Sequence, residues 1–285
     1  MSLDRFHTPI GMSHAGQQGN LLDGLPGDVG RLAKIVQGTL LHQHIASTYG
    51  VTLSAAQQLE PHIRSVESML ERIAAHDARP LTATRPAAER LVGVCRHYTL
   101  LHVAMLRRRG VPARARCGFG AYFEKGRFVD HWVTEFWNEA ERRWQLVDAQ
   151  IDARQRALFR ISFDPADTPR DQFLIAGDAW RLCRAGKADP QTFGILHMHG
   201  LWFIAGNVIR DLAALNNHEM LPWDVWGTMR QTDAELDLDF IDGIAALTRE
   251  PDRDPVAVQS AYRDARVAVP DTVFNAVLGR PDRIH

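Results

Sequence analysis

Along the first half of the chain, apolar residues recur at helical spacing and then switch to alternation. Val29, Leu32, Ile35, Val36, Leu40 and Leu41 predict a helix from about 27 to 49, with Gly50 as its stop. Leu59, Ile63, Val66, Met69, Leu70 and Ile73 predict a second helix over 54–75, followed by a connector at 76–86 that holds two prolines. A third helix runs to Arg109 on an apolar face of Leu100, Leu101, Ala104 and Met105. Its end is written in the sequence. Arg107, Arg108 and Arg109 sit where the helix dipole favours cations, Gly110 suits the left-handed position after the helix, and Pro112 forbids continuation. Beyond Pro112 the period becomes two. Strands are expected over 114–123, 128–137 and 142–149, separated by turns at 124–126 and 138–141. From Pro165 onward the pattern reads as helical, with segments near 171–185, 200–216, 233–247 and 255–266. Residues 1–26, rich in Gly, Ser, His and Gln, read as irregular structure or a mobile arm. The expected class is α+β, divided into an N-terminal arm and helices (1–80), a mixed core (81–164) and a helical C-terminal extension (165–285).

The hairpin expected between the second and third strands has a consequence for chemistry. If Trp137 pairs with Arg142 across a four-residue turn, antiparallel pairing sets His131 directly opposite Asp148 on one sheet face. Their Cβ atoms would then be about 4.5–5.5 Å apart, suitable for a carboxylate holding an imidazole N–H. A one-residue slip of register would undo this.

The bulk composition narrows the alternatives. The 285 residues are 45% hydrophobic, enough for a substantial core. Lys and Arg number 33 and Asp and Glu 34, for a net charge of -1, which gives no electrostatic case for nucleic acid or an anionic membrane as partner. No apolar run approaches the length of a membrane span, and the opening Met1-Ser2-Leu3-Asp4-Arg5 lacks the apolar core of a secretory signal. Three cysteines make an odd, sparse set, so a disulfide framework is not expected and a reducing cytoplasm is the simplest home.

That leaves free thiols. Cys117 and Cys183 read as packing. Cys95 follows Gly93 at the start of the third helix, where unsatisfied N–H groups and the positive helix end stabilise a thiolate. Its own N–H could serve an oxyanion. A thiol at a helix start, then a histidine and a carboxylate on a hairpin, follows the nucleophile–base–orienter order of a catalytic triad.

These residues resemble a known family. Gly93-Val94-Cys95-Arg96-His97-Tyr98-Thr99, then Met105-Leu106-Arg107-Arg108-Arg109-Gly110-Val111-Pro112-Ala113-Arg114, then His131-Trp132-Val133-Thr134-Glu135-Phe136 and Trp144-Gln145-Leu146-Val147-Asp148, look like the core of transglutaminase-like proteins. The resemblance covers roughly residues 88–152. It implies a papain-like α+β core and acyl-enzyme chemistry on an amide, peptide, ester or thioester, with Cys95 as nucleophile, His131 as base and Asp148 as orienter, and no cofactor. The chain departs from the family in two places: Asp130 stands where a small residue often precedes the histidine, and His97 follows two residues after the cysteine. Both bear on substrate choice.

The triad leaves the acceptor open. Water makes a peptidase or amidase, an amine makes an amide-forming transferase, and a non-catalytic binding module on the same fold is a rival reading. Trp132, Trp223 and Trp226 are candidates for lining a substrate groove, with packing as the ordinary alternative. His42-Gln43-His44 and His197-Met198-His199 raise a metal hydrolase reading, but neither has a Cys or carboxylate cluster at zinc-like spacing, so no metal is expected. Gly16-Gln17-Gln18-Gly19 is no phosphate loop, since no strand precedes it and no Gly-Lys-Ser/Thr follows. Oligomeric state is not legible.

Overall fold

The computed structural model describes residues 3–284; Met1 and Ser2 of the N-terminal segment read above lie outside it. Packing groups the chain into two units that do not follow chain order. One holds residues 3–115 and 133–168, the other 116–132 and the chain from 169 onward.

In the first unit the long helices expected from periodicity are cut where local chemistry offers a better use of the backbone. Helix α1 (Val29–Thr39) opens on Asp28, whose Oδ1 accepts the Arg31 N–H at 2.7 Å. The chain then straightens into β1 (Leu40–His42) instead of continuing to Tyr49, and Gln43–Tyr49 forms 3-10 turns. The second expected helix is two. Helix α2 (Ala55–Leu59) stops at a 3-10 turn containing Pro61, and α3 (Val66–His76) starts afresh on a Ser65 cap. Strand β2 (Leu91–Gly93) pairs in parallel with β1, Leu40 against Leu91 and His42 against Gly93.

Helix α4 (Cys95–Arg108) is the centre of this unit, with every residue from Cys95 to Arg107 buried. Gly110 follows it at φ 73°, in the left-handed region, as its sequence position implied. Arg107 does more than answer the helix dipole: its Nε donates to the Ala113 carbonyl at 2.8 Å and its NH1 to Ser13 Oγ at 2.8 Å. The second of these bonds helps explain why residues 3–26 are not a loose arm. They form 3-10 turns with Phe6, Met12, Leu22 and Leu25 buried, and the Gln17 N–H bonds Glu67 of α3.

Strands β3 (Ala113–Gly120) and β4 (Phe128–Asn138) are hydrogen-bonded neighbours, and β5 (Arg143–Val147) lies antiparallel on β4. Here the register departs from expectation. Trp137 pairs with Trp144, not with Arg142, and the ladder ends at Thr134 against Val147. Asn138 belongs to the strand: its Oδ1 accepts the N–H groups of Ala140 and Glu141, and its amide bonds Gln145, so the turn moves one residue along. Arg142 closes the turn at φ 52°. Carried past its last pair, this register sets position 148 against 133. The offset of two from the expected register removes the premise on which His131 was set directly opposite Asp148. Helix α5 (Ala153–Leu158) closes the unit on an Asp152 cap.

The second unit is not purely helical. Strand β6 (Phe173–Ile175) pairs with β3, leading into α6 (Ala176–Arg184). Strand β7 (Phe193–Ile195) runs parallel to β4, and β8 (Met198–His199) folds back on it. The buried helix α7 (Leu201–Ala214) packs against α6. Beyond it come β9 (Asp224–Val225), α8 (Leu238–Arg249), which also packs on α7, and α9 (Pro255–Tyr262). Strands β10 (Thr272–Asn275) and β11 (Arg280–Arg283) complete a three-stranded sheet with β9. These strands are two to four residues long and β11 is wholly polar in three of four positions, too little for an alternation signal.

Candidate functional site

Strand β2 delivers the chain to Cys95, and its own seat is well determined. The Val92 N–H donates to Glu60 Oε2 at 2.8 Å, and Glu60 Oε1 lies 2.8 Å from His76 Nε2. Gly93 must be small: a Cβ there would lie 2.8 Å from His97 Cβ. Val94 is the residue before the helix and has no side-chain acceptor, so no side chain caps the first N–H groups of α4. His97 instead turns back, its Nδ1 accepting the Val94 N–H at 3.2 Å while Nε2 donates to the Ile63 carbonyl at 2.9 Å. Burial holds this imidazole down to about 3. His97 is therefore a neutral internal brace, not the substrate-facing residue its position suggested. Cys95 is the first residue of the helix and 6% exposed.

Around this helix start the same unit gathers polar groups. Tyr98 is one turn on from Cys95 and buried; burial first, then Tyr49, Asp152 and Asp148 among its electrostatic neighbours, push its phenol well above the ordinary value. Tyr49 donates to Asp152 Oδ2 at 2.7 Å and accepts from Gln155 Nε2 at 3.2 Å. Asp148 is buried in a tight turn, its N–H bonded to the Pro165 carbonyl at 2.8 Å and its Oδ1 accepting the Gln150 N–H at 3.0 Å. The structure thus brings Asp148 into the electrostatic surroundings of the α4 start.

His131 belongs to the other unit, and its setting is aromatic. Its ring packs against Phe123 at 4.7 Å, Tyr122 at 6.0 Å and Phe173 at 6.3 Å, each close to perpendicular, and the residue is 2% exposed. Asp130 accepts from Asn207 Nδ2 of α7 at 2.7 Å. Arg210 of the same helix bonds Asn207 Oδ1 at 3.2 Å and the Asp224 carbonyl at 3.0 Å. Burial pushes the Asp130 carboxyl up, while Arg210, Asn207 and His131 act against this. Asp130 is thus buried and tied to α7.

The tryptophan candidates separate. Trp132 is 1% exposed, and Trp226 is 4% exposed with its Nε1 donating to the Val267 carbonyl at 2.9 Å, so both are packing residues. Trp223 is half-buried in the loop before β9. The histidine pairs do not form a ligand set, since among the described residues no three His, Cys, Asp or Glu side chains converge. His199 bonds Gln191 instead.

Residues 41–149 match the family model of the transglutaminase-like superfamily core. This transglutaminase-like region is 109 of the chain's 285 residues. This core begins at β1 and ends one residue past Asp148, so it takes in Cys95, His131 and Asp148 and also 47 residues (41–87) upstream of the block legible as a motif. A solved structure of a candidate cysteine protease from Cytophaga hutchinsonii aligns with 17% identity over 52% of this chain and 42% of its own, at a TM-score of 0.34. No curated protein sequence matches. No described helix is long and apolar enough to cross a membrane. What sequence reading missed in the core is β1 with His42: three residues in parallel pairing with a strand some fifty residues on leave no local signature.

Proposed function

We propose that the transglutaminase-like core performs acyl transfer through a thioester on Cys95. The Cys95 sulfur attacks the carbonyl carbon of an amide, peptide or thioester, and the C–S bond forms as the leaving group departs. His131 takes the thiol proton and returns it to the leaving group, then removes a proton from the acceptor, whose oxygen or nitrogen displaces the sulfur. Asp148 holds the imidazole in the productive tautomer. Water as acceptor gives hydrolysis, and an amine gives a new amide.

The observation that carries this reading is the placement of Cys95 at the first position of an uncapped helix, inside the family match. A buried thiol with only a packing role needs no such position. The test is mass spectrometry of wild type and Cys95→Ala after incubation with a panel of peptide esters, amides and acyl thioesters. A covalent acyl adduct on Cys95 of the wild type, absent from the variant, is expected. An adduct that persists in Cys95→Ala, or no adduct from any donor alongside unselective alkylation of the three thiols, overturns the proposal. Adding hydroxylamine or a primary amine then reads the acceptor: hydroxamate or amide product marks transfer, free acid alone marks hydrolysis.

A further inference from the structure

We infer that Tyr122 and Phe123, in the turn between β3 and β4, form a subsite for an apolar or aromatic group on the amine side of the reaction, the amine that departs in cleavage or enters in transfer. The inference rests on the acyl-transfer reading above and names the class of amine which that reading leaves open.

In that reading His131 exchanges a proton with the departing group and then with the entering one. Each must bring its nitrogen within about 2.6–3.2 Å of the imidazole, so its substituents lie against whatever packs around the ring. The imidazole is 2% exposed, and three aromatic rings pack on it: Phe123 at 4.7 Å, Tyr122 at 6.0 Å and Phe173 at 6.3 Å. The three are not equivalent. Phe173 is 1% exposed, whereas Tyr122 and Phe123 are half-buried. The solvent-facing part of this aromatic wall therefore belongs to Tyr122 and Phe123.

The turn holds these two rings in place. The Ala121 N–H donates to the Gln172 carbonyl at 2.8 Å, the Arg127 N–H donates to the Glu124 carbonyl at 3.2 Å, and Gly126 takes the left-handed conformation at φ 78°. The rings pack on each other at 4.5 Å. Gly120, the last residue of β3, leaves room for both: a Cβ there would lie 2.7 Å from Phe123 Cε2 and 3.1 Å from Tyr122 Cζ. The pair is thus folded back over the end of β3, beside His131. The neighbouring carboxylate, Asp130, is bonded to Asn207 of α7. An apolar or aromatic substituent laid on such a wall leaves water and gains ring contacts, while a charged one loses water without a partner. A substituent as small as that of glycine gains nothing.

The test uses the full-length protein and the acyl donor that forms the Cys95 adduct. The acyl-enzyme is offered phenylalaninamide, leucinamide, glycinamide or aspartic acid α-amide at equal concentration, and the ratio of amide product to free acid is read for each. In the wild type this ratio is expected to be at least about tenfold higher with phenylalaninamide than with glycinamide, and lowest with the aspartic acid derivative. In Phe123→Ala the preference for phenylalaninamide over glycinamide falls to about threefold or less. Phe123→Leu, which keeps apolar bulk, retains a preference for leucinamide over glycinamide. Gly120→Ala, whose new methyl group displaces the Phe123 ring, lowers the phenylalaninamide preference by several-fold. Each preference is a ratio within one protein, so a general loss of folding or of thiol reactivity cancels from it. Equal use of the four amines by the wild type, free acid alone with all four, or an unchanged preference in Phe123→Ala overturns the inference. Failure of the acyl-transfer reading itself has a separate signature: the wild type then forms no Cys95 adduct from any donor.

Discussion

Two helix ends carry a half-buried or buried thiol in this protein, and they are opposites. Cys95 opens α4, where the N–H groups of the first turn lack a side-chain cap. Cys183 lies in the last turn of α6, where carbonyl oxygens carry the partial negative end of the dipole. Burial, then the Asp189 carboxylate, pushes the Cys183 thiol up to about 11. The surroundings reinforce the contrast. The α4 start is braced by His97 and Glu60 and faces a polar cluster; the α6 end has neighbours that disfavour an anion. The two thiols thus differ in position along a helix as well as in their neighbours.

The contrast breaks most severely if Cys95 is dispensable. Cys95→Ala is expected to remove acyl transfer by about a thousandfold or more, read as loss of product and of adduct, while Cys183→Ala leaves both unchanged.

The brace at the α4 start can be removed next. His97→Ala leaves the Val94 N–H and the Ile63 carbonyl without their partner and opens a cavity, at a cost of about 2–4 kcal/mol in urea unfolding. The wild type should also show the pH signature of this ring. Its folded value is depressed to about 3, so the unfolded chain binds the proton first as pH falls. Stability is full above about pH 6.5 and declines from there towards pH 3, and His102, held down to about 4 by burial, adds to the same decline. A flat stability profile across that window contradicts the buried neutral rings.

Alkylation compares the two thiols directly. At pH 8 a thiol near 11 is ionised in about one molecule in a thousand. Iodoacetamide followed by peptide mapping should label Cys95 at least about tenfold faster than Cys183; equal labelling removes the distinction. The smallest effect sharpens its electrostatic part. Asp189→Asn removes one of the two causes that raise Cys183, and its alkylation curve should move to slightly lower pH while that of Cys95 stays fixed.

Much of the core was readable because its signals are local. The stop of α4 at Arg108, Gly110 and Pro112 needs only neighbours in sequence, and β3, β4 and β5 form where expected with boundaries moved by a few residues, although β3 is buried at every position instead of at alternate ones. The hairpin register was missed by one turn position because Asn138 bonds its own turn, a choice that residue type permits and does not dictate. The candidate site was readable as a set of residue types. Asp130 and His97 were read as bearing on substrate choice and Trp226 as packing or lining a groove; all three are buried with fixed partners, and a buried polar side chain is indistinguishable in sequence from an exposed one.

The order of a cysteine at a helix start, a histidine before a tryptophan and an aspartate at a strand end was set by the sequence alone, together with the helical and alternating periods that carry them. Tertiary structure decided what lies beside each. The parallel pairing of Leu40–His42 with Leu91–Gly93, the anchoring of Asp130 by Asn207 and the folding of residues 3–26 onto α3 and α4 all join segments far apart in the chain. Such contacts depend on three-dimensional closure, whose energy comes from burial and hydrogen bonding that no local window of residues contains.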